Sequence, residues 1–130
     1  MRKVEHFKKA LDNLRLIDNY DPPYDIVTET GLVNLFSICF EQSWKAMKEV
    51  LRSHGYDESK TGSPKRIIKQ AYQAGMIADE DGWLGLLDQR NEVAHSYNAE
   101  VALSIIERTK ERYIILFEEL YQELVEHWEE

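Results

Sequence analysis

The amino-acid sequence predicts an all-α protein: an antiparallel up-and-down four-helix bundle with one extra short helix. Apolar residues recur at helical spacing in four long stretches, and no segment shows the two-residue period of a strand. Glycines, prolines and capping residues separate those stretches by short connections. With 130 residues, 43% of them hydrophobic, the chain suits one soluble domain over residues 1–130 that needs no staples.

Taken in order, the first helix is expected over Arg2 to Asp18, where Val4, Phe7, Leu11, Leu14 and Ile17 share a face. Asn19-Tyr20-Asp21-Pro22-Pro23 stops it, because consecutive prolines and the residue before them disfavour helix. A longer second helix should run from about Asp25 to His54, capped by Gly55, with Gly31 marking a fray or a bend. Its middle, Leu32 to Phe40, is apolar nearly all round, which places it at the bundle centre or against a second subunit. Trp44, Met47, Val50 and Leu51 then narrow to a core face. Tyr56 to Gly62 reads as a loop, and Ser63-Pro64 opens a short third helix that ends at Gly75. Asp79 is the expected N-cap of the fourth helix, which ends near His95 to Tyr97, with Glu80 and Asp81 favouring its dipole. Asn98 caps a fifth helix to near Trp128, along which Val101, Ile105, Thr109, Tyr113, Leu116, Leu120 and Leu124 drift around one broad face.

Composition excludes several functions. A net charge of −8 argues against a broad, non-specific nucleic-acid surface. It leaves room for a local basic patch, and Lys65, Arg66 and Lys69, with Lys60 nearby, are candidate substrate-binding residues. The acidic run from Glu118 to Glu130 reads as a solvated helix face. A single cysteine, Cys39, allows no intrachain disulfide, and its apolar surroundings suit packing better than nucleophilic chemistry. No signal core follows Met1 and no apolar run reaches membrane-spanning length, so a cytoplasmic location is expected. The histidines His6, His54, His95 and His127 are scattered, and there is no Gly-rich phosphate loop; neither a metal nor a cofactor is expected.

The chemistry gathers in Arg90-Asn91-Glu92-Val93-Ala94-His95-Ser96-Tyr97. On an ideal helix Trp83, Leu86, Leu87, Val93 and Ala94 form one apolar stripe, and Arg90 lies within it. A guanidinium there needs an acid partner, a cleft or a subunit interface. Asp88, Asn91 and His95 share the adjacent face. In one reading this is a polar helix end whose Arg and His satisfy nearby backbone carbonyls. In the other it is a reactive site: imidazole moves protons near neutral pH, and the arginine fork suits charge developing at phosphorus. Together they suit metal-free RNA cleavage by attack of a 2′-hydroxyl on the neighbouring phosphate. Five residues apart, Arg90 and His95 lie about 140° apart around an ideal helix. They converge only if the helix end unwinds or a second chain contributes, as in a two-fold dimer.

These residues resemble a known family. Arg90, four residues, His95, one residue and Tyr97 match the Arg-x4-His-x-Tyr signature of HEPN domains paired with minimal nucleotidyltransferases, and Asn91 matches the polar residue that often follows the arginine. Phe40 to Lys48, Ser63-Pro64-Lys65, Ala74 to Ile77 and Trp83 to Tyr97 are similar to the subgroup called nucleotidyltransferase substrate-binding proteins. The resemblance implies a homodimeric helical bundle partnered with a small nucleotidyltransferase. It implies further a metal-independent ribonuclease toxin with Arg90, His95 and Asn91 at its catalytic centre, silenced by AMP transfer to Tyr97. The same subgroup also has an older reading, a non-catalytic subunit that binds RNA or nucleotide substrate for its transferase.

Overall fold

The computed structural model describes residues 1–56 and 62–129. These are almost entirely helical, with no strand among the described residues. Helix α1 (Arg2–Leu14) buries Phe7, Ala10, Leu11 and Leu14, then tightens into a 3-10 turn over Arg15–Asn19. The apolar period there does reach Ile17, which is buried, but the α-helix itself stops at Leu14, before the expected Asp18. Helix α2 (Ile26–Ser53) starts where the Asp25 carboxylate accepts the Thr28 N–H at 2.7 Å. That hydrogen bond holds the Asp25 carboxyl below the usual range. The helix runs without interruption through Gly31, which therefore marks no fray.

Two glycines end helices in the same way. Gly55 and Gly75 have φ of 87° and 78°, a left-handed backbone that favours glycine. After α2 the Tyr56 N–H reaches back to the Leu51 carbonyl at 2.9 Å. After α3 (Pro64–Gln73), Met76 does the same to Ala71 at 2.9 Å. Helix α4 (Glu80–His95) is capped by Asp79, which accepts the Gly82 N–H at 2.9 Å and pairs with Arg112 at 2.8 Å. The Arg112 guanidinium, then the Gly82 N–H, holds the Asp79 carboxyl below the usual range.

Asn98 caps α5 (Ala99–Arg108) by accepting the Val101 N–H at 2.9 Å. A π turn over Thr109–Tyr113 joins it to α6 (Ile114–His127). The expected single helix is thus continuous but not uniform. Core positions from Val101 to Tyr113 recur in steps of four, and each step overshoots a turn by about 40°. A π turn, with its wider i to i+5 bonding, takes up that drift and returns Leu116, Leu120 and Leu124 to the core.

Helix α2 packs against α1, α3, α4 and α5, while α6 packs against α1. Leu32, Val33, Phe36, Cys39 and Phe40 are buried at the centre, but Ile38 faces outward. Burial pushes the Cys39 thiol well above its ordinary range, so it packs as an inert apolar group. One polar network ties α4 to the helix behind it. Tyr113 donates to Gln89 Oε1, and Gln89 Nε2 donates to Ser104 Oγ at 3.2 Å. Tyr113→Phe strands the buried Gln89 oxygen and should lower stability by about 1–3 kcal/mol in urea denaturation.

Candidate functional site

A groove of about 810 Å³ opens between the N-terminal half of α2 and the C-terminal half of α4. Its walls are mostly apolar, including the exposed Ile26, Val27 and Ile38, and its polar features include Glu41, Arg90 and Tyr97. Arg90 reaches this surface from the buried stripe of Trp83, Leu86, Leu87 and Val93. Ala94, expected on that stripe, is exposed and lines the groove instead, because the helix turns its last residues beyond the edge of the core.

The acid partner that Arg90 requires is Glu41, with Nη1 to Oε2 at 3.4 Å. The guanidinium also lies over the Phe40 ring, 5.4 Å from its centroid. Its Nε is buried without a hydrogen-bond partner. Glu41 is shared with Lys45 at 3.6 Å, so the arginine is held by one long contact and a ring face. A guanidinium held this loosely keeps donors for an incoming anion.

Tyr97 follows the end of α4, outside any helix, and faces back onto α2. Its hydroxyl donates to Glu29 Oε1 at 2.6 Å, and the Thr30 hydroxyl donates to the phenol oxygen at 3.4 Å. Glu29 is only 7% exposed, whereas Tyr97 is 42% exposed. Burial, then the hydrogen bond and charge of Glu29, raise the Tyr97 phenol above its ordinary pKa of 10.0.

His95 is the last residue of α4 and is exposed, as is Asn91; neither lines the groove. Because α4 stays helical through His95, Arg90 and His95 do not converge within one chain. The fold therefore brings Arg90 and Tyr97 to one groove and leaves His95 and Asn91 on the adjoining face. Lys65, Arg66 and Lys69 are exposed on α3, away from the groove walls, and Lys60 lies outside the described residues. Among the described residues no group of three or more His, Cys, Asp or Glu could hold a metal ion.

Sequence reasoning missed Glu29 and Glu41. Glu29 had a readable signal: it stands three, four and seven residues before Leu32, Val33 and Phe36, a carboxylate on a buried stripe. Glu41 had none beyond the general need of Arg90 for an acid.

The Tyr97 phenol should titrate above ordinary tyrosines when followed by NMR of ring-labelled protein, and Glu29→Gln should bring it partly down. A fold that raises this pKa favours the neutral phenol. Its stabilising contribution is therefore full below the unfolded value of about 10 and is lost as pH rises through the folded one.

Residues 2–126 match the family described as nucleotidyltransferase substrate binding protein like. The protein named "Probable ribonuclease HepT" from Haemophilus influenzae is 30% identical over 91 residues, covering 66% of this chain and 62% of that protein's length. A crystal structure of a Thermus thermophilus protein superposes with a TM-score of 0.74 at 30% identity, covering 91% of this chain and 98% of the other. The chain belongs to the HEPN-like nucleotidyltransferase substrate-binding protein family and is similar to the protein named "Probable ribonuclease HepT".

Proposed function

We propose that this chain is the HEPN-type component of a toxin–antitoxin-like pair with a minimal nucleotidyltransferase, and that it cleaves RNA without a metal ion. The observation that carries the reading is Arg90, an incompletely neutralised guanidinium in a groove that also holds the Tyr97 phenol. The helices read as an antiparallel up-and-down four-helix bundle with α3 as the short extra member. Two copies pair through the apolar lips of the groove at Ile26, Val27 and Ile38, because monomers rarely leave such patches uncovered. Pairing supplies the convergence that one chain lacks.

In this site His95 takes the proton of a ribose 2′-hydroxyl, whose oxygen attacks the adjacent phosphorus. The bond from phosphorus to the 5′-oxygen breaks, leaving a cyclic phosphate. His95 of the partner subunit protonates the departing oxygen. Arg90 holds the charge that develops on the phosphoryl oxygens, and Asn91 donates hydrogen bonds to the same backbone. Lys65, Arg66 and Lys69 extend contact along the RNA phosphates. Transfer of AMP from the nucleotidyltransferase to Tyr97 adds bulk and negative charge in the groove and shuts the site.

A second reading has support in the family description itself: a subunit that binds substrate for its transferase without cleaving anything. RNA cleavage in EDTA separates the two. Unmodified wild type should cleave, and Arg90→Ala and His95→Ala should each lose about 10²–10⁴-fold in rate with helicity intact. Absence of turnover from protein confirmed unmodified at Tyr97 selects the substrate-binding subunit. AMP transfer is tested separately, by the mass of the Tyr97 peptide after co-expression with the nucleotidyltransferase. For the dimer, the double change Val27→Glu and Ile38→Glu should yield monomer in sedimentation analysis while circular dichroism stays unchanged.

A further inference from the structure

Glu29 is a carboxylate buried at 7% exposure on the core face of α2, and the hydroxyl that hydrogen-bonds it is that of Tyr97. A charge in that position is costly unless a donor meets it, and the fold commits the phenol to that task. At 2.6 Å the contact has the length of an O–H donor bonded to an ionised acceptor. The other side of the ring is open, since Tyr97 is 42% exposed along the groove that Arg90 also lines. A nucleophile and a carboxylate on its proton thus meet beside the groove, while Arg90 stands about three turns of α2 away, at Glu41.

We propose that Glu29 is the general base that makes Tyr97 a nucleophile toward phosphorus. The inference rests on the reading of Tyr97 as the acceptor of a nucleotidyl group. As the phenol oxygen bonds to the α-phosphorus of a nucleoside triphosphate, its proton passes to Glu29 Oε1. The bond from that phosphorus to the bridging oxygen breaks, and pyrophosphate leaves with the electron pair. A phenol is neutral at ordinary pH, so the proton has to leave during the step, and Glu29, hydrogen-bonded to it at 2.6 Å, is the group placed to take it.

The proposal is tested without a nucleotidyltransferase by a small phosphorus electrophile, diisopropyl fluorophosphate. There the phenol oxygen bonds to phosphorus, fluoride leaves, and the proton again passes to Glu29. Tyr20, Tyr56 and Tyr72 are 46%, 39% and 45% exposed, close to Tyr97, and serve as internal standards. Peptide mass spectrometry should find Tyr97 labelled about 100-fold faster than those three in wild type. Glu29→Gln should bring Tyr97 to their common rate and leave theirs unchanged. Equal labelling of Tyr97 in wild type and Glu29→Gln overturns the proposal. Should Glu29→Gln fail to fold, the wild type alone decides: labelling of Tyr97 at the common rate overturns it equally. Since neither nucleotide nor transferase enters this assay, its failure is distinct from a missing AMP mass on Tyr97 in co-expressed protein.

Discussion

Two carboxylates on α2 set where α4 can lie. Glu29 and Glu41 are separated by about three turns on a helix that presents mostly apolar side chains to its neighbours. Each must be met by a donor, and the α4 region meets both: Arg90 at Glu41 and Tyr97 at Glu29. Apolar packing alone tolerates a helix sliding or rotating by a fraction of a turn, because one methyl contact replaces another. The short contact of Tyr97 with the buried Glu29, just past the end of α4, tolerates much less of it, and the longer Arg90–Glu41 contact adds a weaker restraint. Sliding α4 would leave a buried carboxylate and a half-buried guanidinium without partners, each a loss of kilocalories. The groove between α2 and α4 owes its shape to this pinning.

Most of the helical layout was legible in the sequence because its signals are local. Asp25, Ser63, Asp79 and Asn98 act as caps, each accepting an N–H three residues ahead, and Gly55 and Gly75 close their helices with left-handed backbone. Where the reading failed, the missing information was tertiary. The 3-10 turn at Arg15–Asn19 keeps Ile17 in the core, which periodicity cannot distinguish from continued α-helix. At Ala94 the apolar pattern continued after the core had ended.

The candidate site was legible in its residue types and not in its arrangement. That Arg90 needs an acid followed from its place between Leu86 and Val93, but the choice of Glu41 depends on how two helices meet. The divergence of Arg90 and His95 followed from helix geometry alone, and the intact last turn of α4 preserves it. The pair consequently faces two directions. In the proposed dimer a second copy would bring the two directions together, and the apolar residues at the groove's edge suit that pairing.

The π turn at Thr109–Tyr113 divides one long helix into two rods whose phases are set independently. The ladder widens there without breaking, with the Thr109 hydroxyl donating to the Ile105 carbonyl at 2.7 Å. A π turn advances each residue by less than the roughly 100° of an α-helix, so its five residues absorb close to one residue's rotation. Removing a single residue there would restore regular α-helix with everything beyond it facing nearly as before. Straightening the turn without losing a residue would instead carry Leu116, Leu120 and Leu124 away from the core together, although α5 and its cap would be untouched. Among relatives of this chain, the loss of one residue in that turn should therefore be the change of length this helix tolerates best, for the widened ladder already holds one residue more than a regular turn needs.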